Sequence, residues 1–271
     1  MNIFESYSRF LVWSMALLLI ALAAGCGSGD QGRDPILGVG TGTGGVVGPV
    51  GPGPGPGPVP GPVGCFSLTN TLANFGVLAG TGLTCNASPP GTILITGDIG
   101  APTQSCIPPQ TAGFANYSNV ADPQLVTALA DLQIAAAAAN NAGTCPCATT
   151  SGATDLGGTV QTPGTYCFTG AITLTGTLTL NGPGVYIFKT TSTFDTAANS
   201  IVAFAGGATD ANTSVYWVAV GASTIGANSV VKGTVMSSAA AITMGNLATL
   251  IRGRVLSGAA VTLSNNQVAI P

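Results

Sequence analysis

The sequence predicts a mainly β chain wound into a three-sided β-solenoid, with one long α-helix packed along one face. The first observation is a repeat. Ala222-Ser223-Thr224-Ile225-Gly226 recurs as Ala241-Ile242-Thr243-Met244-Gly245 and as Ala260-Val261-Thr262-Leu263-Ser264, which places Thr224, Thr243 and Thr262 at 19-residue intervals. Lys232-Gly233-Thr234-Val235-Met236-Ser237 likewise recurs 20 residues on as Arg252-Gly253-Arg254-Val255-Leu256-Ser257. A period near this length, rich in Val, Ile, Thr and Gly, is the signature of stacked coils. At about 3.3 Å per residue such a coil has a perimeter of roughly 63 Å, enough for three sides. The second observation is alternation. Across Ile172–Leu180, interrupted by Gly176, Ile and Leu point inward while Thr173, Thr175, Thr177 and Thr179 point outward. The third is a single helical stripe, Leu125, Leu129, Leu132 and Ala136, amid chain that otherwise reads as strand and turn.

Residues 1–25 read as an export signal. Leu11 to Ala24 is almost wholly apolar, yet too short to span a bilayer comfortably. It ends in Leu22-Ala23-Ala24-Gly25-Cys26, which resembles a bacterial lipoprotein signal and makes Cys26 the lipidation site. An ordinary secretory signal cut near Ala24 is the other reading. Gly27 after the cysteine suits an outer-membrane destination. The expected location is therefore outside the cytoplasm, as an outer-membrane lipoprotein facing outward or as a secreted protein. Contact with a membrane comes only through a lipid on Cys26.

Residues 26–64 form a linker. Gly51 to Pro58 alternates Gly and Pro with period two, which lacks the period-three collagen pattern and offers no side chains for a core. Gly40-Thr41-Gly42-Thr43-Gly44-Gly45 formally fits a dinucleotide fingerprint, but no strand precedes it and no helix follows.

Residues 65–271 form the folded domain. Phe75–Ala79 and Ile93–Gly100 read as short strands closed by glycines. Asp122 caps the helix, Pro123 takes its first position, and Gly143 is placed to stop it in a left-handed cap. Eighteen or so residues at 1.5 Å give roughly 27 Å, the height of five or six coils. Val185-Tyr186-Ile187-Phe188, Ile201-Val202-Ala203-Phe204 and Val215-Tyr216-Trp217-Val218 are apolar without alternation, as expected of strands covered on both sides.

Composition narrows the chemistry. Charged residues make up 6% of the chain and the net charge is −3, so phosphates find no basic surface and nucleic acid is not an expected partner. There is no His, and Cys145-Pro146-Cys147 alone does not complete a tetrahedral metal site, so neither metal nor cofactor is expected. A carbohydrate-cleaving β-helix would need clustered acids. The acids beyond Cys65 are dispersed, and Asp98 and Asp195 read as turn residues, so the chain is not expected to be an enzyme. Apart from Cys26, six cysteines remain: Cys65, Cys85, Cys106, Cys145, Cys147 and Cys167. An even set suits three disulfides in an oxidising compartment, although the residues alone leave about 15 pairings open.

Several segments appear in a recognisable order. These are Ile95-Thr96-Gly97-Asp98-Ile99-Gly100, the helix, Pro163-Gly164-Thr165-Tyr166, Leu178-Thr179-Leu180 before Val185-Tyr186-Ile187-Phe188, Val215 to Gly221, Gly253-Arg254-Val255-Leu256, and Ala260-Val261-Thr262-Leu263. In this order they resemble the microbial ice-binding proteins built on a discontinuous right-handed β-solenoid with a flanking helix. The likeness covers nearly all of residues 75–271. It implies ice binding through one flat face, with thermal hysteresis, inhibition of ice recrystallisation, or both, by a monomer with no chemistry of its own. The cysteine content departs from the family pattern and reads as a staple across Cys145 to Cys167.

The residues expected to line that face are Ala222 and Thr224, Ala241 and Thr243, Ala260 and Thr262, with Thr173 and Thr175 as additions. Thr177 with Thr179, or Thr234 with Ser237, are the competing sets. A surface adhesin or structural exoprotein that binds glycan or another surface is the alternative function, because an anchor and linker serve it equally well.

Overall fold

The computed structural model describes residues 65–86 and 93–271. The signal segment, Cys26 and the linker lie outside the described residues. A five-residue helix α1 (Asn70–Asn74) leads into a first coil of β1 (Phe75–Ala79), β2 (Gly82–Cys85) and β3 (Leu94–Thr96). β4 (Asp98–Gly100) and β5 (Asn116–Tyr117) extend the sheet that holds β1. Helix α2 (Pro123–Asn140) then carries the chain to the opposite edge of that sheet, where six more coils begin. They are β6–β8 (Thr149–Ser151, Thr154–Asp155, Val160–Gln161), β9–β11 (Gly164–Phe168, Ile172–Leu174, Thr177–Asn181) and β12–β14 (Gly184–Thr190, Phe194–Thr196, Ile201–Ala205). There follow β15–β17 (Thr213–Ala219, Ser223–Ile225, Val230–Lys232), β18–β20 (Thr234–Ser237, Ile242–Met244, Thr249–Ile251) and β21–β23 (Val255–Ser257, Ala260–Leu263, Gln267–Ala269).

Every strand pair is parallel, and the strands fall into three sheets. The first runs β5-β4-β1-β21-β18-β15-β12-β9-β6, the second β2-β22-β19-β16-β13-β10-β7, and the third β3-β23-β20-β17-β14-β11-β8. The predicted solenoid is therefore present, and it is discontinuous. The last coil packs on the first, with Val255 opposite Val77, Val261 opposite Leu83 and Val268 opposite Ile95. Seven coils stack rather than the five or six expected, because a given height spans one coil more than it has gaps.

Inward side chains of all three sheets make one core. Its densest part is a ladder of rings: Tyr166 stacks on Phe188 at 5.1 Å, Phe188 on Trp217 at 4.5 Å, and Phe194 of the second sheet on Trp217 at 4.3 Å. The indole N–H of Trp217 donates to the Lys232 carbonyl at 3.0 Å, so this buried ring also satisfies its polar atom.

A second core lies between α2 and the outer side of the first sheet. It joins Leu125, Ala128, Leu132, Ala135, Ala136 and Ala139 to Leu78, Ile187, Val218, Met236 and Leu256. Each leucine there contributes about 1.5–3 kcal/mol on burial. The alanines bring the helix axis close to the strands. Leu129, placed on the stripe from sequence, sits at its half-buried margin.

Asp122 caps α2 through the Gln124 amide, as expected. Gly143 does not close the helix in a left-handed turn. Asn141 ends it in extended geometry at φ −77°, and the Gly143 amide donates to the Asn141 side chain. The apolar runs at Val185 and Val215 lie under the helix. Ile201–Ala205 does not: it belongs to the third sheet, and Ile201 is 43% exposed.

Five coils turn the corner between the second and third sheets through a left-handed residue. Gly176, Asn199, Asn228, Leu247 and Asn265 fill it with φ of 85°, 62°, 56°, 60° and 55°. Gly and Asn tolerate this region; Leu does not favour it. Inside the same corner, the Ser200 hydroxyl bonds the carbonyls of Leu174 and Ala197, and the Asn266 side-chain amide donates to those of Gly245 and Ala248.

Cysteines pair as Cys65–Cys145, Cys85–Cys106 and Cys147–Cys167. The local staple expected across Cys145 to Cys167 is thus correct only for Cys147, whereas Cys145 reaches back 80 residues to the start of the domain.

Two substitutions test this packing. Leu247 is 53% exposed, so Leu247→Asn relieves the strained corner without loss of buried surface. It should raise unfolding stability by about 1 kcal/mol in urea titration. Ser223 is 1% exposed, and its hydroxyl has no hydrogen-bond partner between neighbours equivalent to Phe194 and Ile242. Ser223→Ala should add about 1 kcal/mol by the same measurement.

Candidate binding face

α2 covers the first sheet and leaves the second and third open. In β10, β13, β16, β19 and β22 of the second sheet, one residue points outward between two buried neighbours. The parallel register aligns these residues in one column: Thr84, Thr262, Thr243, Thr224, Asp195, Thr173, Asp155. Neighbours lie about 4.8 Å apart, so the four contiguous threonines span about 14 Å. A column of small residues accompanies them. Gly82 pairs with Ala260, and the amides of Ser223 and Phe194 reach the carbonyls of Ala241 and Ala222.

The structure therefore unites Ala222, Thr224, Ala241, Thr243, Ala260 and Thr262 on one face. Thr173 shares their column but stands beyond Asp195. Thr175 does not join it: it follows the end of β10, and its amide donates to the Asp155 carboxylate at 2.9 Å. Thr84 was not anticipated. Its signal lies in Gly82-Leu83-Thr84-Cys85, which has the same small–aliphatic–Thr–apolar order as Ala260-Val261-Thr262-Leu263.

The competing sets lie elsewhere. Thr234 and Ser237 belong to the first sheet and are buried at 1% and 0% exposure. Thr177 and Thr179 project from the third sheet, where Thr177 aligns with Ile201, Val230, Thr249, Gln267 and Leu94. That surface mixes long and short side chains. It also carries Lys232, paired with Asp210 at 2.8 Å and lying 4.7 Å from the Phe204 ring centre.

The second sheet bears two acids with different surroundings. Asp155, at the edge, accepts the amides of Gly157 and Thr175, both at 2.9 Å. These bonds hold its carboxyl below the usual carboxylate range, led by the Gly157 amide. Asp195 lies mid-strand in β13, not in the turn expected from sequence, and its carboxylate engages no hydrogen bond or ion pair among the described residues. Asp98 also lies in a strand, β4, where it accepts the Ala115 amide at 2.7 Å. Asp98 and Asp195 belong to different sheets and form no pair.

Away from this face, a cavity of about 220 Å³ lies near the end of α2, lined by Asn140, Cys147, Phe168 and Lys189 among others. The Lys189 ammonium donates to the carbonyls of Ala139 at 3.0 Å and Cys145 at 2.6 Å, and burial lowers its pKa. The ammonium thereby caps carbonyls at and just beyond the C-terminus of α2. No group of three metal-binding side chains occurs among the described residues.

The coiled domain has parallels among known proteins. The ice-binding-like family matches residues 77–269. The ice-binding protein of Flavobacterium frigoris (strain PS1) is 32% identical over 216 residues, covering 73% of this chain and 74% of its own. The ice-binding protein of the Antarctic ascomycete Antarctomyces psychrotrophicus superposes with a TM-score of 0.66 at 28% identity, over 76% of this chain and 98% of that one. An ice-binding protein from an Antarctic Flavobacteriaceae bacterium gives 0.62 at 31% identity, over 76% and 47%. With that match across the whole coiled region, this chain belongs to the ice-binding-like family.

Proposed function

We propose that the protein binds ice through the open face of the second sheet, centred on Thr84, Thr262, Thr243 and Thr224 and flanked by Ala260, Ala241 and Ala222. Family membership supports ice as the ligand. The observation that carries the choice of face is the uninterrupted register of four threonines on a sheet that no helix covers.

Ice presents no net charge and no protruding group, so a binder must match it over an area. Outward columns two residues apart lie about 6.6 Å from each other along the strand, and coils about 4.8 Å across it. This grid is fixed by backbone hydrogen bonds rather than by side-chain choice. Thr is stiff at χ1, so its hydroxyl is held in place and orients water, while its methyl excludes disordered water. Ala adds flatness with no rotamer freedom to lose. The stacked rings beneath hold the sheet rigid. The result is a template on which lattice-like water is retained, and crystal growth is pinned where it attaches. Thermal hysteresis, recrystallisation inhibition, or both, follow.

The protein acts as a monomer outside the cytoplasm, and the disulfides suit that compartment. A lipid on Cys26 and the linker of residues 26–64 would display the domain on the cell surface. Thr243→Tyr tests the reading. The ring should break the plane and abolish ice shaping and hysteresis, with unfolding temperature and circular dichroism unchanged. Full activity in a folded Thr243→Tyr protein places the site elsewhere. Glycan-array binding by a protein that leaves ice crystals unshaped supports an adhesin instead.

A further inference from the structure

The threonine column is interrupted at one place, and the interruption is chemically avoidable. Asp195 occupies the outward position of β13, directly opposite Thr224 on one side and Thr173 on the other. It is half-buried, its neighbours Phe194 and Thr196 are buried, and its carboxylate has no bond or ion pair among the described residues. Nothing in the fold requires it. Asp155 in the same column differs, because its carboxylate ties down the Gly157 and Thr175 amides.

An unpaired carboxylate is strongly hydrated and accepts hydrogen bonds only. Water in ice donates two and accepts two, so a carboxylate orients every neighbouring water as a donor and cannot sit within the lattice pattern. Giving up part of that hydration shell against a rigid lattice also costs free energy. The damage is local: it separates Thr173 from Thr224 and limits the uniform block to four coils.

We infer that Asp195 is the residue that sets the extent, and hence the strength, of this ice-binding face. Replacing it with Thr would make one column of six threonines, Thr84 through Thr173. This rests on the proposed face, and the experiment separates the two. Hysteresis and recrystallisation inhibition are measured at equal molar concentration for the wild type, Asp195→Thr, Asp195→Asn and Thr243→Tyr, each checked for folding by circular dichroism and thermal unfolding. Asp195→Thr should raise hysteresis roughly two-fold or more, since added ordered contacts act exponentially on affinity. Asp195→Asn keeps the shape without the charge and should give a smaller rise. If Thr243→Tyr is inactive while both Asp195 variants equal or fall below the wild type, the face stands and the role of Asp195 is overturned. If Thr243→Tyr remains active, the face itself is wrong and the inference falls with it. Should Asp195→Thr fail to fold, Asp195→Asn decides alone: a rise supports the inference, and no change or a loss overturns it.

Discussion

Everything on the open faces depends on one long-range contact, the docking of the first coil onto the last. Residues 75–96 pair with residues 255–269 in all three sheets. Local repetition does not bring them together. α2 does, because it spans the stack and delivers the chain to the far edge, from which six coils wind back. The pairing closes an edge that would otherwise expose unpaired amides on β21, β22 and β23. It also adds Thr84 to the threonine column. Arg254 locks the joint: its guanidinium donates twice to the Ala73 carbonyl at the end of α1, at 2.9 and 2.6 Å. Such non-local pairing raises the contact order, so folding should be slow relative to a helical domain of this size.

The helix also determines which faces are available. By covering the first sheet it turns those strands into fully buried, non-alternating apolar segments and removes Thr234 and Ser237 from consideration. The second and third sheets share the same backbone grid, so only side chains distinguish them. The third carries Ile201, Gln267, Leu94 and a Lys232–Asp210 pair. Long side chains of differing reach hold water at several heights and in several orientations. The second sheet carries Thr, Ala and Gly over its longest uninterrupted run, which is the basis for proposing it as the binding face.

What the sequence made legible tracks where coil length is constant. The last three coils differ only by short turns, so the 19-residue spacing of Thr224, Thr243 and Thr262 was visible and their alignment correct. Between Asp195 and Thr224 the segment after β14 lengthens the coil, which shifts Asp195 out of phase and made it resemble a turn residue. Thr84 was hidden for a different reason: it completes the column from the other end of the domain, and pattern in a linear sequence does not reveal such a return. Thr175 and Thr177 looked like one outward row with Thr173 because alternation continues through Gly176. Its positive φ turns the chain onto the next sheet and divides the row. The helix was legible because Asp122, Pro123 and the leucines act locally, whereas its end was misplaced because Asn141 and its own side chain terminate it before Gly143.

The distribution of disulfides follows from the stack being one-dimensional. An inner coil is held by two neighbours, a terminal coil by one, so stability falls toward the ends. Cys147–Cys167 fastens the coil of β6–β8 to its single neighbour. Cys85–Cys106 fastens β2 to the segment around Gln104 that covers the other end. Cys65–Cys145 joins the entry of the domain to the residues just beyond α2, closing an 80-residue loop that crosses the second core. A loop of that length removes roughly 4 kcal/mol of unfolded-chain entropy in the simplest treatment. The four coils from β12 to β23, with β16 and β19 of the threonine block among them, carry no cysteine and do not need one. Their rigidity comes from hydrogen-bonded neighbours on both sides and close-packed core side chains below. The disulfides thus supply covalent reinforcement where stacking is weakest, and leave the middle of the face free of the bulk and distortion that a crosslink would introduce.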